Sequence, residues 1–501
     1  MADASDSHPL VNTLQSIAAL IRERVTVDTR ALAAMRIALG VVILIDLVHR
    51  APHIAYFYSD AGVYPRSVYD VSYPAFGGLS LHAISGEIWF QQFLFIVAGT
   101  IAVLFLFGYR TRLTGLMSLI LLFSLQARNP AILNGADRLL VILLLVALLT
   151  PLGERWSIDA LRRDSPRSHV ASVGTTALLV QPLVVFTSNA LAKADGVYWY
   201  SGRGLQVAMH NDVMTIYVGN ILVDFPQLLV VLNYGWVVLL AGAVFFLFLP
   251  TGAVRGVVAI VYIGAFAGML VTMAVGLFPL VLATAVLPYL TTPVWDTCAR
   301  VRPPGIASRP LTPIGSQFRP PVERRIFHRL PDRQQSTAIR IGRRLATVVG
   351  VLVLAWMLMF ASLNFIAIDP PGPVQEAHLE QQSWELYAPD PSPAYSWFVL
   401  EANTSDGTVI DPLDGGPVVY DRPPDAATEY ETFRHRKFME SVRSSTGSPP
   451  GPIADGYAAW VCENAERPIE GFTLYQMYQL VPSNGEYSDP IRSERLVYDC
   501  P

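Results

Sequence analysis

Lysine occurs only twice in 501 residues, at Lys193 and Lys437; arginine supplies the other permanent cations. Lys193 ends a long apolar run, within Asn189-Ala190-Leu191-Ala192-Lys193-Ala194-Asp195. Arginine stays protonated at any physiological pH, whereas an amine removed from water can drop by several pKa units and lose its proton. A lone lysine in a membrane-boundary setting where arginine is otherwise used therefore reads as a candidate general base. The competing reading is a lysine whose stem lies on apolar surface while its ammonium reaches water.

Other polar groups interrupt apolar runs. Arg36 and Asp46 share one run but stand ten residues apart, about 15 Å along a helix, so each needs a different partner. Asp159 is a candidate for Arg36, and Arg50 or Arg138 for Asp46. A charge inside a lipid span costs roughly 2.5–3.5 kcal/mol on insertion scales and faces a bundle interior or a watery cavity; ion pairs that fix helix register are the alternative. The stretch Arg128 to Arg138, RNPAILNGADR, packs Asn129, Asn134, Asp137 and Arg138 between two apolar runs. Asp137 suits the first turn of a helix, where its charge meets the positive end. Otherwise this polar knot lines an outward-facing cavity.

These residues need a membrane to position them. Charged residues make up 15% of the chain and mean hydropathy is +0.39, against roughly 25% charged in soluble domains. Runs approaching or exceeding the ~20 residues needed to span lipid are expected near 31–48, 88–107, 113–127, 136–152, 170–192, 227–249, 255–274, 276–290 and 345–367. The fold class is thus a polytopic α-helical membrane protein of about nine transmembrane helices. Residues 1–30 form an N-terminal segment with an amphipathic interfacial helix near 8–27. Residues 31–295 form a core of eight spans, in which the seventh and eighth are a tight hairpin about Gly276 and Pro279 or one broken helix. Residues 296–344 form a linker with eleven Arg against three acids. It is a topology signal and solvated loop, or a surface for anionic lipid at about 1 kcal/mol per base.

Net charge is +10 through residue 368 and −14 from residue 369 on. Arginines cluster in alternate connections, which places the N-terminus in the cytoplasm and the C-terminus outside the cell membrane. Residues 368–501 alternate apolar and polar positions at Trp397 to Leu400 and Phe472 to Leu480 between Asp-Gly, Gly-Gly and Pro-Pro signals, so a small acidic β-rich extracytoplasmic domain is expected. Cys462 and Cys500 would lie in an oxidising space, where a disulfide is plausible. No metal-ligand spacing is visible. Nothing suggests a nucleic-acid partner.

With these elements in order, the chain resembles the horizontally transferred transmembrane (HTTM) family, which includes vitamin K-dependent gamma-carboxylase. The likeness runs from Met35-Arg36-Ile37-Ala38-Leu39-Gly40 and Asp46 through Phe57 to Arg66 and Gly108-Tyr109-Arg110-Thr111-Arg112. It continues in Asn134-Gly135-Ala136-Asp137-Arg138, Trp199 to Gly202 and Gly276-Leu277-Phe278-Pro279, then Trp384 to Pro391 and Gly415-Gly416-Pro417. The resemblance implies that Lys193 is the base acting on a membrane quinol of the vitamin K hydroquinone kind, with O₂ and CO₂ as co-substrates, no metal, and a peptide or protein acceptor. In that chemistry the oxygenated quinol removes the γ-proton of a glutamate and the carbanion captures CO₂; a related quinol-coupled oxidation or epoxidation is the variant. The sequence departs from the family pattern twice: Asn134 to Asp137 lacks the carboxylase's assisting histidine, and Phe266 stands where many prokaryotic relatives carry one; His210 is the alternative imidazole or an ordinary exposed loop histidine. The C-terminal part is also much shorter than the carboxylase's substrate-binding region. The other class of function is a non-catalytic membrane protein that binds lipid or quinone, or a transporter.

Overall fold

The computed structural model describes residues 9–74, 78–163, 165–211, 213–301, 341–359 except 343 and 346, 387–424, 430–480 and 487–501. Most of the Arg-rich linker, the ninth expected span beyond residue 359, and Trp384 to Leu386 lie outside the described residues.

Helix α1 (Pro9–Arg24) leaves Ile17, Leu20 and Ile21 exposed. Helix α2 (Thr29–Arg50) starts where the Asp28 carboxylate accepts the Arg30 N–H at 2.8 Å, satisfying one of the first-turn donors that a helix leaves unpaired. Apolar helix continues from it to Tyr58, 30 residues in all. Helix α3 (Ile88–Leu106) packs against α2 so closely that a Cβ on Gly40 would stand 2.8 Å from the Leu106 Cβ. Helix α4 (Thr111–Arg128) and helix α5 (Gly135–Leu148) follow. Helix α5 opens with a reciprocal cap: Asn134 Oδ1 accepts the Asp137 N–H, and Asp137 Oδ2 accepts the Asn134 N–H. The capping role expected of Asp137 is therefore present.

Helix α6 (Val173–Ala194) begins with a similar cap between Ser172 and Thr175 and carries Lys193 in its last turn. Helix α7 (Pro226–Gly242) runs on as a tighter turn to Phe248. Helix α8 (Ala253–Thr272) and helix α9 (Phe278–Val286) form a hairpin, one of the two alternatives, with Gly276 at φ +64° in the turn, a backbone region that favours glycine. Helix α10 (Thr292–Val301) closes this part.

Among the described residues, five helical segments are long and apolar enough to cross a membrane: Thr29–Tyr58, α3, α6, Pro226–Phe248 and α8. A sixth arises if Phe278–Tyr289 and Thr292–Arg300, bent by 100° at their break, count as one span. Two further expected spans exist as helices that do not meet this standard. Helix α4 places Arg112, Gln126 and Arg128 within 18 residues, and α5 has only 14, short of the ~20 that lipid requires.

The C-terminal region contains strands β1 (Ala394–Thr404) and β2 (Val409–Ile410), helices α11 (Phe433–Ser444) and α12 (Pro452–Asn464), then β3 (Ile469–Leu480) and β4 (Ile491–Asp499). The strands form one antiparallel sheet in the order β2-β1-β3-β4. The two runs anticipated as strands are direct partners, with Trp397 opposite Met477. The two helices were not anticipated. Arg434, Phe438 and Val442 bury one side of α11, at the four-residue spacing of a helical face. Cys462 on α12 is disulfide-bonded to Cys500 after β4, with 5.7 Å between their Cα atoms.

Candidate functional site

A cavity of about 580 Å³ opens among α6, α7, α8 and α9. Its wall is mostly apolar, including Phe186, Leu239, Met269 and Leu282, and its polar end holds Asn189, Lys193 and Trp199. Its size falls within the range typical of small-molecule sites, roughly 300–1,000 Å³. Asn189 and Lys193 lie one helical turn apart, so the spacing along α6 puts both on one face.

Lys193 is 2% exposed. Its Nζ donates to the Tyr387 carbonyl at 3.1 Å and lies 4.3 Å from the centre of the Trp199 ring. Trp199 Nε1 donates to the same carbonyl at 2.9 Å. Asn233 of α7, fully buried, fixes the Trp199 segment: its Nδ2 donates to the Trp199 carbonyl at 2.8 Å and its Oδ1 accepts the Leu205 N–H at 2.9 Å. From the C-terminal region, Asp390 accepts the Val197 and Tyr198 N–H groups at 2.6 and 2.8 Å. Backbone hydrogen bonds from Ile216 to Thr272 and from Ala274 to Met214 tie the loop after His210 to the α8–α9 turn beside the cavity. Lys193 is thus enclosed, and the reading of an ammonium extended into water does not hold.

Tyr387 also lines the cavity. Burial pushes its phenol above the ordinary tyrosine range, so the hydroxyl stays protonated. Among the described residues this buried hydroxyl has no hydrogen-bond partner. A buried orphan of this kind calls for an explanation such as a ligand. The residues therefore fit an elongated, mostly apolar molecule with a polar head.

Of the residues singled out in the sequence, the structure brings Trp199 to Lys193. Arg36, Asp46, Asn129, Asn134, Asp137, Arg138 and His210 do not line this cavity. Arg36 donates to the backbone carbonyls of Leu106, Leu152, Arg155 and Trp156. Asp159, the candidate partner, attracts the Arg36 cation from a distance but spends its hydrogen bonds on the Arg110 and Thr111 N–H groups at the start of α4. Carbonyl oxygens satisfy a guanidinium without the cost of burying a second charge.

Asp46 takes Arg50, as one alternative had it, at 2.9 Å. Arg50 also reaches Asp137 at 2.6 Å and the Tyr58 hydroxyl at 2.6 Å. Arg434 of α11 completes the group, 2.6 Å from Asp46 and 2.9 Å from Asp137. Arg138 is half-buried immediately after Asp137. Asn129 donates to the Phe57 carbonyl at 3.0 Å. His210 Nδ1 donates to the Gln206 carbonyl at 2.7 Å. Phe266 is buried against Phe186 and Trp236.

Sequence reasoning passed over Asn189, Asn233, Tyr387 and Arg434. Asn233 was detectable, as a lone amide within the apolar run of α7. Tyr387 lies in the segment Trp384 to Pro391 that carries the family resemblance, and nothing local marks Arg434.

Several apolar helices with a lysine-headed chamber among them define a multi-helix membrane protein. A sequence model of the HTTM domain matches residues 25–295, more than half of the chain. The chain belongs to the HTTM-domain family. No curated protein and no solved structure matches it.

Proposed function

We propose that this protein is a membrane enzyme related to gamma-carboxylase that uses a membrane quinol, with Lys193 as the base, for carboxylation or a related quinol-coupled oxidation or epoxidation. The observation that carries the reading is the enclosed amine at the polar end of an apolar chamber formed by membrane helices. A quinol has the matching shape: a polar head for Lys193 and Asn189 and an apolar tail for the walls between α7 and α8. To act, Nζ must be neutral when the quinol arrives and then take the hydroxyl proton. Trp199 and the Tyr387 carbonyl hold the nitrogen in place. The apolar wall keeps water from competing for that proton. The bound quinol supplies the reducing chemistry toward O₂, and CO₂ is the second co-substrate of the carboxylating version. The acceptor is a peptide or protein presented from the side of the C-terminal region.

The arrangement in the membrane belongs to the same proposal: nine spans, a cytoplasmic N-terminus and a C-terminal region outside the cell. The alternation of arginine-rich connections supports it. So does the disulfide, which persists in oxidising compartments.

The test is turnover of a reduced naphthoquinone by protein in lipid vesicles, with fixed ¹⁴CO₂ and co-purified quinone measured beside it. Wild type should oxidise the quinol and Lys193→Ala should not, while both elute as the same folded species. Quinol oxidation retained by Lys193→Ala eliminates the base. Quinone bound without turnover by either protein favours a non-catalytic quinone- or lipid-binding protein.

A further inference from the structure

Away from the cavity, His53 follows the outer end of α2, and Glu431 and His435 lie at the start of α11. The Glu431 carboxylate is 3.7 Å from His53 Nδ1 and 3.8 Å from His435 Nε2. One ligand atom from each of the three residues can be chosen so that all lie within 4.8 Å of one another. Four ligands held 2.0–2.1 Å from a tetrahedral Zn²⁺ stand about 3.4 Å apart, so closure by a few tenths of an ångström brings the carboxylate to bonding separation from each imidazole.

We propose that His53, Glu431 and His435 form a binding site for a divalent transition metal of the Zn²⁺ class, which fastens the C-terminal region to the membrane core. Two imidazoles and one carboxylate suit that class of ion and leave a fourth position for water or a substrate group. The surroundings match a metal site at three points. Thr432 Oγ1 lies 2.8 Å from His435 Nδ1, an outer partner that orients the ring and turns Nε2 toward the other ligands. Phe57 and Tyr56 pack on the His435 ring at centroid distances of 4.7 and 5.0 Å, forming an apolar wall on one side. Glu431 is 72% exposed, so the other side admits the ion. The sequence gives no ligand spacing because His53 and His435 lie in regions far apart in the chain. The site is independent of the chemistry proposed at Lys193.

Full-length protein without a polyhistidine tag, stripped with chelator, should take up one equivalent of Co²⁺ and show the visible absorption of a low-coordinate Co²⁺ site, which Zn²⁺ then bleaches by displacement. The His53→Ala/His435→Ala double variant should lose that absorption. Glu431→Gln, at an exposed position where folding is not at stake, should weaken binding at least about 10-fold, the lower end of what loss of even an outer partner costs. Absence of stoichiometric uptake by the wild type overturns the site. So does undiminished affinity in Glu431→Gln or in the folded double variant.

Discussion

Two of the places where the molecule buries charge are built differently. At the C-terminal end of α2, Asp46, Arg50, Asp137 and Arg434 form a closed group of two acids and two bases, each within 3 Å of an opposite charge. Inside the cavity, Lys193 donates to a carbonyl oxygen and lies against an aromatic face, and open space lies beside it. Balanced charge surrounded by partners resists change and serves attachment: it binds α11 to the helices. A single amine next to space can exchange a proton with whatever enters. The comparison separates a fastening from the proposed reaction centre by the room beside each.

The comparison breaks first at Lys193. Lys193→Ala should lower quinol turnover by about 10²–10⁴-fold, the contribution of a positioned base, with little change in thermal midpoint; a drop in stability matching the drop in rate makes Lys193 a structural residue. Arg434→Ala should show the opposite pattern. It leaves two buried acids with only Arg50 between them, and breaking a buried pair costs about 3–5 kcal/mol. Turnover per folded molecule should stay near wild type, and denaturation in detergent measures the loss. Smaller and less selective is removal of the Cys462–Cys500 disulfide. Cys462→Ser/Cys500→Ser should cost about 2–4 kcal/mol, and because the C-terminal region carries both Arg434 and Tyr387, stability and turnover should fall together. A loss confined to one of them shows that the two regions draw on different parts of that domain.

Much of the framework was legible in the sequence because its signals are local. Apolar runs gave α2, α3, α6, α7 and α8, the Asn-Gly turn gave the start of α5, and alternation gave β1 and β3. Lys193 stood out because composition isolated it. The same locality explains what was missed. Asp46 and Arg434 meet across 388 residues, and Lys193 meets the Tyr387 carbonyl across 194; no pattern within a window of one or two turns encodes such meetings. A carbonyl partner is harder still, since every residue has one. Arg36 was half-read for that reason: the search was for a carboxylate, and beside the field of Asp159 the fold supplied four backbone oxygens.

The subtlest test concerns a neutral group beside the fastening. His82, in the turn before α3, is buried with Nδ1 2.7 Å from the Ser124 hydroxyl. Burial, then the nearby positive charges of Arg128 and Arg50, holds its imidazole down to about 3. In the unfolded chain a histidine titrates near 6.5. Between those values the unfolded state binds the proton and the folded state does not, so stability falls as pH is lowered from about 6.5 toward 3 and is unaffected above 6.5. At pH 5 the loss is about 2 kcal/mol, from ~1.5 pH units at 1.36 kcal/mol each. His82→Gln should flatten the decline in stability between pH 7 and 5 while leaving the pH dependence of quinol turnover per folded molecule unchanged. An unaltered stability slope means that His82 does not carry the acid sensitivity of this region. A shifted turnover profile means that the fastening and the cavity share a proton after all.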